Sequence, residues 1–267
     1  VWTADAISGP ERAPRAARDT QRFGTIVVVG GGCYGSYYVR QLLRAHHAGA
    51  LTWERLLVVD RDPECRVAHL AADERPPALE VVPDEWRAWF GRYLGDAADR
   101  GDGSAHHDAI VPSPLMPHLM AEWLLARAAS RWPDRTVASA PLGGTPAVPW
   151  QRAGDDATHY VSFAEWMCPI NCIEPPRCPH TRGQRSWTMP AAVRAYVDAE
   201  AAAGRPVEGP YVFQCLHRAY GVGMLDVGDI LAADRAIAAR GALGAASFLV
   251  GTVSHCHGAL RQIVLGA

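Results

Sequence analysis

Cys168-Pro169-Ile170-Asn171-Cys172-Ile173-Glu174-Pro175-Pro176-Arg177-Cys178 is a C-x3-C-x5-C run stiffened by proline. Thiolates are soft ligands, and three on one short loop can face a single centre, so Cys168, Cys172 and Cys178 point to Zn²⁺ or an iron–sulfur cluster. Cysteine followed by proline suits a cluster loop, whereas zinc knuckles more often use C-x2-C. Both metals stay open at this point, as do plain buried thiols. A fourth ligand must come from elsewhere in the chain. The candidates are His180, Cys215, His217, Cys256 and the two histidines flanking Cys256, namely His255 and His257.

A second constellation is Gly30-Gly31-Gly32-Cys33-Tyr34-Gly35, directly after the β-branched run TIVVV at residues 25–29. Gly30, Gly32 and Gly35 match G-x-G-x-x-G. The first glycine permits a tight turn, the second lets backbone amides approach a pyrophosphate, and the third lets a helix pack close to the strand. A second apolar run, residues 56–59, ends in Asp60, somewhat farther on than the ~20 residues typical of dinucleotide-binding proteins. Its carboxylate can accept from both ribose hydroxyls and would repel a 2′-phosphate, which favours NAD. Arg61 beside it keeps NADP open. Gly30, Gly31, Gly32, Cys33, Tyr34, Gly35, Asp60 and Arg61 are therefore the expected cofactor residues.

Two strand ends carry the remaining chemistry. Cys215 and His217 follow the apolar run at 211–214, and His255-Cys256-His257 follows the one at 247–250. In a parallel sheet the carboxyl ends of the strands share one rim, where ligands bind. This predicts that Gly32, Cys215 and Cys256 line one cleft under the loop 168–178. Cys215 then joins the three loop cysteines as a metal ligand. His255, His257 and Cys256 are the catalytic candidates, with a histidine exchanging a proton as hydride moves.

The elements that must hold these groups follow from periodicity. Short apolar runs at 25–29, 56–59, 79–82 and 109–111 alternate with helical patterns after the glycine turn, at 84–94 and at 115–129. That alternation predicts an α/β fold, a doubly wound, mainly parallel Rossmann-like sheet. The rhythm breaks at Trp132-Pro133. Residues 133–190 are rich in Pro, Gly, Cys and Trp and read as a Cys/Pro-rich insertion, strand-like only at 160–163 and fastened by something other than packing. Alternation resumes with helices near 191–202 and 229–239, strands at 211–214 and 247–250, and a final helix carrying Leu260, Ile263 and Val264. The expected organisation is thus a disordered lead-in at 1–22, a dinucleotide-binding half at 23–132, the insertion at 133–190, and an α/β half at 191–267 completing the same sheet.

TIVVVGGGCYGSYYVRQLL followed by LLVVDRDPE resembles the NAD-binding domain of the TrkA type found in potassium-uptake regulators, and more distantly the dehydrogenase of siroheme synthase. The likeness spans about residues 24–66. It implies a Rossmann fold with a nicotinamide or adenine nucleotide at Gly30, Gly32, Gly35 and Asp60.

Composition limits the partners. The formal net charge is −2 and no Lys/Arg block is present, so neither nucleic acid nor an anionic membrane surface finds an electrostatic footprint. No run approaches ~18 apolar residues and the first twenty residues lack a signal-like apolar core, which leads to the expectation of a cytoplasmic protein. The seven cysteines are an odd count that does not suit a complete disulfide framework. Together these readings predict an NAD(P)-dependent oxidoreductase with an adjacent metal or iron–sulfur centre, acting on a small-molecule substrate or with a redox partner. Two rivals are a non-catalytic NAD- and metal-binding redox sensor and an S-adenosylmethionine-dependent transferase.

Overall fold

The computed structural model describes residues 20–101, 103–164, 168 and 172–267. The lead-in therefore lies outside the described residues up to 19. Gln21 and Arg22, expected within it, instead open the first strand.

In chain order the elements are β1 (Gln21–Val29), α1 (Cys33–His47), β2 (Leu51–Asp60), β3 (Leu79–Pro83), α2 (Trp86–Arg100), β4 (Ala109–Val111) and α3 (Leu119–Arg131). Then come β5 (Val137–Ala140), β6 (Trp150–Ala153), β7 (His159–Ser162), α4 (Met189–Ala202), β8 (Glu208–Gln214), β9 (Leu216–Ala219), β10 (Val222–Asp226), α5 (Val227–Gly241), β11 (Ala246–Val253) and β12 (His257–Leu265).

The fold is α/β, and its strands form two mixed sheets. The first runs β3-β2-β1-β4-β10-β9, with β1 to β4 mutually parallel, β10 antiparallel to β4, and β9 antiparallel to β10. Residues 26–29 and 56–59 are almost fully buried, as strands covered on both faces must be. The second sheet runs β6-β7-β12-β11-β8, with β5 paired to the far half of β12. Here only β8 and β11 are parallel.

Three expectations are corrected. Residues 191–267 do not complete one sheet: β9 and β10 join the first, while β8, β11 and β12 build the second. Short connections such as those of β9–β10 and β11–β12 can join only antiparallel strands, and this divides the segment. The final helix is instead β12, paired with β11 over eight residue pairs. The spacing of Leu260, Ile263 and Val264 fits either element over so short a run, and pairing decides. The insertion also contributes β5, β6 and β7, so it is packed into the second sheet.

One apolar cluster joins the two sheets. Val27, Val29, Leu57 and Val59 from the first meet Phe213, Phe248, Val250 and Ile263 from the second, with Phe90, Leu124 and Ile230 of α2, α3 and α5 between them. A second cluster seats α1 on the other face of the first sheet through Val39 and Leu42. Among the described residues no helix is long and apolar enough to cross a membrane.

Candidate functional site

The glycine turn is built by close backbone approach. Gly30 has φ +85°, and its N–H donates to the Val59 carbonyl at 2.9 Å, binding the turn to the end of β2. A Cβ on Gly31 would run into Cys65 Sγ, and one on Gly35 into the Gly30 carbonyl oxygen. Gly32 differs: a Cβ there would meet no described atom within 4 Å. Gly32 also caps α1, and among the described residues no side chain bonds that cap. The first-turn amides of α1 thus have no intrahelical partner and sit at the positive end of the helix dipole, an anion-binding arrangement.

Asp60 holds the turn from the side. Its Oδ2 accepts the Gly31 N–H at 2.6 Å and its Oδ1 the Asp62 N–H at 3.0 Å. Trp86 donates its indole N–H to the Val59 carbonyl at 2.8 Å, and the Arg61 guanidinium lies 5.7 Å from its ring centroid. Cys33 is exposed, its sulfur accepting from Arg66 at 3.3 Å, and Tyr34 is exposed beside it.

The thiol and imidazole groups gather around the insertion loop. His257, at the start of β12, places Nε2 3.3 Å from Cys168 Sγ and Nδ1 2.9 Å from Ser162 Oγ. Burial holds this imidazole below its ordinary pKa, against the opposing pull of Glu174. Glu174 Oε1 accepts the His255 N–H at 2.9 Å, and Oε2 lies 3.6 Å from His217 Nε2. His217 Nδ1 is 3.0 Å from the Gly221 carbonyl. His255 Nε2 is buried without a hydrogen-bond partner among the described residues.

Cys215 follows β8, against Gly223 of β10, where a Cβ would strike its sulfur. Burial, then the charge of Glu174, pushes its thiol up to about 12. Cys215 is also felt by Tyr38 of α1, whose phenol burial and the nearby thiol raise to about 12. Arg185 stands among the other sulfurs: its NH2 lies 4.0 Å from Cys172 Sγ, and its charge is coupled to Cys256 and Cys178. Cys178 is buried and drawn below the usual thiol range, chiefly by the Thr181 amide. Cys256 is buried and pushed up by that burial.

The loop meets both strand ends, through Glu174 with His255 and His217 and through Cys168 with His257. Cys215 and Cys256 come from the second sheet rather than from the sheet that carries Gly32. The link back is α1 itself, since Tyr38 lies one helical turn beyond Tyr34. The four sulfurs of Cys168, Cys172, Cys178 and Cys215 do not form a closed cage. Among the described residues the trio of ligand atoms within 4.8 Å of one another is His118, Glu122 and Asp156. There, Arg87 already pairs with Glu122 at 2.7 Å and Arg261 with Asp156, so two guanidinium groups balance the two carboxylates. These ion pairs tie Glu122 of α3 to α2 and Asp156 of the β6–β7 turn to β12.

Glu174, Ser162 and Tyr38 were not among the residues expected from sequence. Glu174 has φ +52°, a left-handed conformation uncommon for a non-glycine residue, which Ala78, Ala157, Arg182 and Tyr220 also adopt.

Residues 120–266 match the model of a family described as "Uncharacterized protein, C-terminal domain". The comparisons with curated proteins and with solved structures give no match.

Proposed function

The chain belongs to the family of that C-terminal domain over residues 120–266; from the glycine turn, which lies outside those residues, we propose that it is an NAD(P)-dependent oxidoreductase whose dinucleotide lies on that turn. The observation that carries this reading is Gly32. Gly30, Gly31 and Gly35 are each demanded by φ or by a neighbouring atom of the protein, whereas the space beside Gly32 is empty. A pyrophosphate approaching the uncapped α1 amides would use that space. Asp60 supports the turn and keeps further lone pairs for ribose hydroxyls.

The reaction centre is the cluster of thiols and imidazoles beside α1. A hydride acceptor or donor bound there needs a proton exchanged at its oxygen, and His255 offers Nε2, a buried polar atom that the protein leaves unpaired. Glu174 fixes the His255 backbone from the facing loop.

Titration calorimetry with NAD⁺ and NADP⁺ tests the reading. Wild type is expected to bind one of them, and Gly32→Val to lose at least ~10-fold in affinity with little change in thermal midpoint. No binding of either nucleotide by wild type sinks the proposal, and binding of S-adenosylmethionine instead would replace it with the transferase. Nucleotide binding with no turnover of NADH by any acceptor would replace it with the sensor.

A further inference from the structure

The protonation pattern of His257 can be read from its neighbour. Ser162 Oγ lies 2.6 Å from the Ala164 carbonyl oxygen, and two oxygens that close require a proton between them. Only the hydroxyl has one. The Ala164 N–H donates to the same Oγ at 2.8 Å, so what Oγ has left for His257 Nδ1, at 2.9 Å, is a lone pair. Nδ1 therefore carries the imidazole proton, and Nε2 directs its own lone pair at Cys168 Sγ. A histidine whose far nitrogen donates to a fixed acceptor while the near one keeps a lone pair beside a thiol is oriented as a metal ligand. The Sγ–Nε2 separation of 3.3 Å is close to the ~3.6 Å that a tetrahedral zinc ion would set between one sulfur and one nitrogen ligand.

We infer that Cys168 and His257 Nε2 are two ligands of a divalent-cation site completed by the thiolates of Cys172 and Cys178, with a zinc-class ion as its occupant. Three thiolates, one neutral imidazole and a doubly charged cation sum to a single negative charge. Arg185, 4.0 Å from Cys172 Sγ and coupled to Cys256 and, less strongly, to Cys178, supplies the one balancing positive charge. Cys215 is outside the set, because Glu174 faces it and its sulfur lies against Gly223. The pair Cys168–His257 is already in place; neither Cys172 nor Cys178 has its sulfur within 4.8 Å of both of these ligand atoms, so entry of the cation must draw the two thiols in. This site stands on its own geometry and does not depend on the dinucleotide.

The test uses the full chain, stripped with chelator and titrated with Zn²⁺ and with Co²⁺ as a spectroscopic probe. Wild type should take up one ion, show thiolate-to-cobalt charge transfer and tetrahedral d–d bands, and become resistant to protease within 164–190. His257→Ala should weaken binding at least ~10-fold and shift the d–d bands, and His257→Cys should restore affinity with a four-thiolate spectrum. Ser162→Ala, which frees the ring and also removes the two bonds to Ala164, should weaken binding ~10- to 100-fold. Cys215→Ser and Cys256→Ser should bind as wild type, with circular dichroism confirming that every variant is folded. The inference is overturned if wild type binds neither ion, if His257→Ala matches wild type in affinity and spectrum, or if Cys215→Ser or Cys256→Ser is the variant that loses the ion.

Discussion

Glu174 receives a backbone N–H from one strand end and faces His217 and Cys215 at the other, and it does so from a left-handed backbone conformation. Its negative charge adds to burial in keeping the Cys215 thiol protonated. Glu174→Gln removes the charge and retains the shape, so the Cys215 pKa should fall, though burial still holds it above the ordinary thiol value. Alkylation of Cys215 between pH 8 and 10, followed by peptide mass spectrometry, would show a faster rate in the variant; an unchanged rate would mean that burial alone sets this thiol. The glycines, Asp60, the loop cysteines and the histidines around Cys256 were legible in the sequence because their chemistry is local, either a spacing or a position after a strand. Glu174 and Ser162 were not. Their partners are brought by tertiary folding, as in the Glu174–His255 and Ser162–His257 contacts, and a single acid or serine in a proline-rich loop has no pattern to announce it.

At the level of elements, the second sheet depends on groups that apolar periodicity does not register. Glu200 of α4 is buried and bonded by Arg205 at 2.7 and 2.9 Å, and Gly143 and Gly144 pass so close to the carboxylate that a Cβ on either would strike it. Arg205 holds the Glu200 carboxyl below its usual range. A carboxyl depressed in the folded state contributes stability in full above its unfolded value, about 4.3, and loses it as pH falls toward the folded value. Arg205→Gln should therefore lower stability at neutral pH and flatten the acid-side loss below about pH 4.5, measured by urea unfolding at several pH values. In β12, Leu260 is fully buried among Val161, Met189, Val193 and Leu249. Leu260→Ala is expected to cost about 2–5 kcal/mol, whereas on a terminal helix with a single buried stripe its neighbours would relax more easily. The helices and the parallel strands β1 to β4 followed from sequence because each is long or continuously apolar. β12 did not, because the spacing of Leu260, Ile263 and Val264 also suits a helix, and the β9–β10 hairpin did not, because strands of four and five residues acquire their identity from the strand beside them.

Across the whole molecule, the two sheets share one apolar cluster with α2, α3 and α5 between them. Unfolding should then be a single cooperative transition, with far-ultraviolet dichroism and tryptophan fluorescence tracing the same curve. Two separated transitions would show that the sheets are independent units. The matched family segment begins inside α3, yet it contains β10, whose Leu225 and Asp226 pair with Ile110 and Ala109 of β4. The seam between the two parts of the chain thus runs through a sheet, not through a linker. A protein made of the matched segment alone would present the far side of β10 as an open template, with the fully buried Val222, Met224 and Leu225 laid bare beside unsatisfied amides. Such a fragment would recruit a strand from any neighbour that could lend one, and the four parallel strands at the front of this chain are, in that sense, a chaperone covalently attached to the rest.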